Sequence, residues 1–193
     1  SVYSPRTHDI SVSKAIFNQL IWNLQNKPEE KALAMLADPN LLASAHGYNN
    51  LILSQACKFG HLNVVKKLLT LEKVRENIAT NANEPCRVAA QHGHIAILKE
   101  LIKFKDVRAY LHIAENFAFI EAAKNGHLAT VQYLLNFNFV LEHITDQNNA
   151  ALRFAAIFGH LEIVNLLLTY EKVRMQADAF NNSALRLVAE HAT

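Results

Sequence analysis

Cysteine is almost missing from this chain. Cys57 and Cys86 are the only two, and they show no C-x-x-C spacing. That excludes a disulfide-stapled scaffold and a cysteine-rich zinc module. It leaves one bridge or two small apolar thiols kept reduced, and the second reading is the one expected, with a cytoplasmic location. An excess of one charge is missing too: 19 Lys and Arg stand against 17 Asp and Glu, a formal net charge of +2. A chain obliged to bind nucleic acid or an anionic membrane would show a larger, clustered basic excess. No apolar run approaches the roughly 20 residues a membrane span needs, and the first residues lack the pattern of a signal peptide. The chain starts at Ser1 without a methionine, as a processed or excised piece would. No H-E-x-x-H, G-x-S-x-G or phosphate-cradling glycine loop is present. Glycine is scarce as well, at five residues, and four of the five are evenly spaced.

Gly60, Gly93, Gly126 and Gly159 stand 33 residues apart, each followed by a histidine and then Leu or Ile. Other columns keep the same register. Asn50, Asn83, Asn116 and Asn149 precede the glycines by ten residues, and Asn182 continues the series. Ala56, Ala89, Ala122 and Ala155 precede them by four. Apolar pairs follow at Leu68-Leu69, Leu101-Ile102, Leu134-Leu135 and Leu167-Leu168, then Val74, Val107, Val140 and Val173. Self-similarity at this period marks an array of small units, none of which can bury its apolar face alone.

Each unit reads as two antiparallel helices. The first carries small residues for close packing and ends at the glycine, which supplies a left-handed conformation. The second places apolar residues at i, i+3, i+4 and i+7, as in Leu161, Val164, Leu167 and Leu168. The register predicts first helices over about 51–59, 84–92, 117–125, 150–158 and 183–191, with second helices over about 62–71, 95–104, 128–137 and 161–170. The valine of each connector plugs the seam between units. Each asparagine, standing just before a helix, is expected to cap it.

These columns resemble the ankyrin repeat, with its 33-residue period, two helices and T-P-L-H-x-A motif. The resemblance spans about residues 47 to 193 and is strongest from Asn149 to Val164. The motif itself is degenerate: only Pro85 keeps the proline, while Ser54, Arg87, Ile120, Arg153 and Arg186 stand where the histidine belongs. Glu72-Lys73-Val74-Arg75 and Glu171-Lys172-Val173-Arg174 occupy the region of the glycine that usually ends the second helix. The resemblance therefore implies an all-α solenoid of stacked helix–turn–helix units, with irregular connectors in place of tidy hairpins. The divergence is similar to that of arrays from intracellular bacteria and large DNA viruses.

One period earlier, Leu20, Ala32, Met35, Leu36 and Leu41 fall on apolar columns. Residues 1–46 are thus expected to hold a diverged capping repeat, with Pro28 opening its second helix and Trp22 and Phe17 supplying bulk at the outer face. Residues 47–193 hold four recognisable units and a trailing half unit, Asn182 to His191, which leaves Leu185 and Val188 without an outer helix. More protein beyond Thr193 is expected on that ground.

Ten histidines invite a metal hypothesis. His61, His94, His127 and His160 recur one unit apart, and stacked helices lie roughly 8–10 Å apart, too far for nitrogens that must each reach within roughly 2.1 Å of one zinc. Each imidazole is instead expected to satisfy backbone groups at a helix start. Cys57 near His61 could mimic a nucleophile and base, but it occupies the small-residue column of Ala90, Ala123 and Ala156 and reads as structural. No cofactor, metal or catalytic residue is expected.

What remains is recognition by surface. The resemblance implies a concave face built from connector tips and first helices, on which fall Lys58, Phe59, Gln91, His92, Lys124, Asn125, Ile157 and Phe158. The tips add Tyr48, Asn81, Gln147 and Phe180. Phe59, Ile157 and Phe158 stand out because folding does not require apolar residues there, and aromatic anchors among polar groups are what interfaces use. The alternative is that the phenylalanines fold back over a neighbouring helix. Arg87, Arg153 and Arg186 either line a basic strip or bond to connector carbonyls, while Arg75, Arg108 and Arg174 read as a solvated face. The expected function is protein–protein recognition by a monomer, without catalysis, nucleic acid or a membrane span. Two alternatives stay open: the targeting domain of a larger enzyme or secreted effector, which would place it in a host-cell cytosol, and a structural spacer.

Overall fold

Every glycine of the column ends a helix in the left-handed region: φ is +79° at Gly60, +72° at Gly93, +78° at Gly126 and +74° at Gly159. The computed structural model describes residues 7–45, 47–113 and 116–179. Among the described residues every regular element is a helix. The chain opens with α1 (Thr7–Asn26), α2 (Glu29–Met35) and α3 (Pro39–Ser44). Four equivalent units follow: α4 (Gly47–Lys58), α5 (Leu62–Leu68) and α6 (Glu72–Glu76); α7 (Thr80–Gln91), α8 (Ile95–Leu101) and α9 (Lys105–Ile113); α10 (Phe117–Lys124), α11 (Leu128–Leu134) and α12 (Asn138–Glu142); α13 (Asp146–Ile157), α14 (Leu161–Leu167) and α15 (Glu171–Ala179). The predicted helix over 183–191, with Asn182, Leu185, Arg186 and Val188, lies outside the described residues.

Successive first helices pack side by side, α4 on α7, α7 on α10 and α10 on α13, and the second helices α5, α8, α11 and α14 form a parallel row behind them. The helices α1 and α2 extend these two rows by one step, against α4 and α5. Ala56, Ala89, Ala122 and Ala155 are fully buried where the rows approach, and Leu68, Leu101, Leu134 and Leu167 fill the space between them. Full burial of each leucine is worth roughly 1.5–3 kcal/mol. At the amino-terminal end Phe17, Leu20, Ala32, Leu36 and Leu41 join the same core. Trp22 does not: it is 46% exposed, with the Lys27 ammonium 5.1 Å from its ring centroid. Pro28 sits just before α2 as its N-cap rather than in its first position.

The connectors are not irregular. Each carries a third helix, α6, α9, α12 or α15, whose central valine is buried as expected. The asparagine column explains why, and it does not cap. Asn50, Asn83, Asn116 and Asn149 are buried, adopt left-handed φ of +61°, +60°, +57° and +58°, and donate through Nδ2 to the carbonyls of Val74, Val107, Val140 and Val173 at 2.8–3.1 Å. Asparagine, like aspartate, enters this region more readily than most residues with a side chain. Its amide then ties the start of each first helix to the connector helix 24 residues later. The first helices α4, α7 and α13 begin four residues before the predicted 51, 84 and 150, with the left-handed asparagine inside them, and only α10 starts at the predicted residue, Phe117. Pro85 stands inside α7, two residues after the left-handed Asn83.

The second helices stop about three residues short of the predicted ends. After α5 and α8 the last carbonyls are taken by arginines of the connector helices: Arg75 Nη1 donates to Leu69 and Thr70 at 3.0 and 2.7 Å, and Arg108 Nη1 to Ile102 and Lys103 at 2.7 Å each. These two residues therefore close helix ends and do not form a solvated face. A cation at a helix C-terminus also complements its dipole.

Candidate partner interface

The histidines hold the seams together, at helix ends rather than helix starts. Nε2 of His61, His94, His127 and His160 donates to the carbonyls of Leu24, Lys58, Gln91 and Lys124 at 2.7–3.0 Å. Each imidazole thus crosses to the last turn of the preceding first helix. His94, His127 and His160 also lie over the glycine of the unit before, so closely that a Cβ on Gly60, Gly93 or Gly126 would meet the ring at 2.5–2.7 Å. The column is spent on structure. No group of three or more possible metal ligands occurs among the described residues.

Cys57 and Cys86 are unlinked and fully buried. Burial pushes both thiols well above the ordinary cysteine value, and Cys86 adds to the rise at Cys57. A thiol held protonated is a poor nucleophile, and the His61 imidazole is bonded to the Leu24 carbonyl.

The exposed side of the first helices holds the remaining groups. Lys58, Gln91 and His92 come together around one cavity of about 240 Å³ between α4 and α7, with Ser54, Gln55, Glu84 and Val88. The Lys58 ammonium lies 5.5 Å from the Phe59 ring centroid, and Nδ1 of His92 donates to the Val88 carbonyl at 3.0 Å. On the other two first helices Lys124 and Arg153 each lie 5.5 Å from the centroid of Phe154. Asn125 is drawn back onto its own helix, donating to the Glu121 carbonyl at 2.8 Å. Ile157 and Phe158, at the end of α13, are 45% and 54% exposed and do not fold back over a neighbour; Phe59 is 38% exposed. Tyr48 belongs to the first turn of α4, but its side chain lies outside the described residues, as does all of Phe180.

Arg153 does what the sequence offers as its second reading. Its Nε and Nη2 donate to the carbonyls of Asn148 and Gln147 at 2.9 and 3.2 Å, clasping a connector tip in which Gln147, Asn148 and Asn149 are all left-handed. Sequence reasoning missed Glu84, Gln55, Phe117 and Phe154. Their columns lie nine and five residues before each glycine, on the same helical face as Lys58 and Lys124, so extending that face back by two turns would have found them.

Residues 87–179 match the family model for ankyrin repeats, in three copies. They are ankyrin repeats. A search of the curated proteins finds no significant match to the chain. The unit around Gly60 lies outside the matched span yet repeats its geometry, from the Asn50–Val74 bond to the imidazole over the glycine. Ankyrin repeats are in general protein–protein interaction modules and typically not enzymes. No helix among the described residues is long and apolar enough to cross a membrane.

Proposed function

We propose that this chain recognises a partner protein on the concave face formed by α4, α7, α10 and α13, and that it does so as a monomer without catalysis or cofactor. The observation that carries the reading is the apolar group at the end of α13: Ile157 and Phe158 are exposed near Phe154 with its two cations, and neither Ile157 nor Phe158 belongs to the core, whereas Phe154 is packed against it. Hydrophobic anchors of this kind, ringed by polar groups, supply most of the energy of an interface. Lys58, Phe59, Gln91, His92, Lys124 and Asn125 complete the surface towards the amino terminus. Residues 1–46 serve as a capping unit, because α1 and α2 continue the two rows and cover the end that α4 and α5 would otherwise expose. Buried thiols without a bridge suit a reducing cytoplasm.

The test uses a partner captured by affinity and identified by mass spectrometry. Phe158→Ala should weaken its binding by about 2 kcal/mol, roughly thirtyfold, while Lys67→Ala and Lys99→Ala on the second helices should change it far less. Loss at Lys67 and Lys99 with Phe158 neutral in calorimetry would move the site to the opposite side.

A further inference from the structure

The cavity between α4 and α7 is underfilled in a specific way. Glu84 is half-buried, lines the cavity, and makes no hydrogen bond or ion pair with any described residue. Beside it the Ser54 hydroxyl, only 2% exposed, is also without a partner. The Gln91 carboxamide is unpaired as well, and Val88 supplies an apolar wall. The two rim groups are already engaged: the Lys58 ammonium rests on Phe59, and Nδ1 of His92 on the Val88 carbonyl. A buried hydroxyl left without a partner costs free energy, and so does a half-buried carboxylate without a counter-charge.

We propose that this cavity takes an arginine side chain of the bound partner segment. Glu84 accepts two parallel N–H bonds from the guanidinium; Ser54 Oγ, the Gln91 carboxamide oxygen and the second lone pair of Gln55 Oε1, which already accepts from Gln25 Nε2 at 3.2 Å, accept the others; and Val88 packs against its plane. Five donors in a fixed fork match this set of acceptors, whereas a lysine ammonium has three donors and no plane. The volume of about 240 Å³ suits a guanidinium and its stem. Lys58, the one cation at the rim, opposes this ligand, which gives the proposal a signature: neighbouring Lys58 and Glu84 must act with opposite sign.

This inference deepens the reading of the concave face and rests on it for biological meaning, but its test needs no partner. Acetyl-arginine-amide, acetyl-lysine-amide and acetyl-glutamate-amide are titrated into the full chain, and the side-chain NMR signals of Gln55, Gln91 and His92 are followed. The arginine probe should shift all three and bind more tightly than the lysine probe, and the glutamate probe should shift none. Glu84→Gln should weaken the arginine probe about tenfold, the scale of a charge-assisted bond, and Lys58→Met should strengthen it. Both variants alter exposed or half-exposed positions, and their melting temperatures are checked against the parent. Preference for glutamate, no response to arginine, or weaker binding in Lys58→Met would each overturn the proposal. The concave-face reading fails separately, on a neutral Phe158→Ala.

Discussion

Asn83 shows what a single residue does here. It satisfies two demands at once, a left-handed backbone at φ +60° and a donor aimed at the Val107 carbonyl. Asn83→Gly keeps the backbone and loses the bond, so it should destabilise by about 1–2 kcal/mol. Asn83→Ala loses the bond and adds the left-handed penalty of roughly 1–2 kcal/mol, so its urea midpoint should fall below that of the glycine variant. Equal midpoints would show that the conformation carries no cost. The cysteines make a second residue-scale prediction. Because burial raises both thiols, neither should react with a thiol reagent at neutral pH in the folded protein, and both should be counted once it is denatured without reductant. A count near zero would mean the two are bridged.

At the scale of the element, the unit is defined less by its helices than by the ties between them. Asparagine joins the first helix to the connector helix, histidine crosses to the preceding unit, and in the units of Gly60 and Gly93 arginine closes the second helix. Gly126 and Gly159 separate two reasons for the same residue. Both need a positive φ, but a Cβ on Gly126 would meet the His160 ring at 2.6 Å, whereas one on Gly159 meets nothing within 4 Å among the described residues. Both alanine variants should therefore lose roughly 1–2 kcal/mol to the left-handed backbone, with Gly126→Ala losing more because His160 must leave its bond to Lys124. Indistinguishable unfolding curves for the two would mean that the imidazole yields at no cost.

For the whole molecule, His94 couples folding to pH. His94 is lowered from the ordinary histidine value, first by burial and then by the charges of His92, His127 and His61, with its bond to Lys58 working the other way. Its folded value lies below the unfolded one, so between the two the unfolded chain binds more protons, and stability rises with pH. The contribution is complete above about pH 6.5 and is lost as the pH falls from there through the lowered folded value. Denaturation midpoints measured between pH 8 and 5.5 should decline on the acid side, and His94→Gln should flatten that decline. A midpoint independent of pH over this range would remove the histidine from the account.

The sequence by itself determined the period, the main segments of the first helices, the buried columns and the family that residues 87–179 match, because stacked similar units repeat the same burial requirement every 33 residues. Residues whose job is internal to one helix, such as Ala122 or Leu134, were legible from spacing alone. Only the tertiary structure decided what the polar columns do. Asn116 and His127 act on partners 24 and 36 residues away, and helical or capping rules describe only near neighbours. The connector helices escaped notice for the same reason: at five residues, α6 and α12 are too short to stand without the bonds that Asn50 and Asn116 bring from elsewhere in the chain. Spacing indicated which residues face outwards, such as Lys58 and Phe158. That Glu84 and Ser54 share a cavity with Gln91 depends on how α4 lies against α7, and no pattern within either helix specifies that.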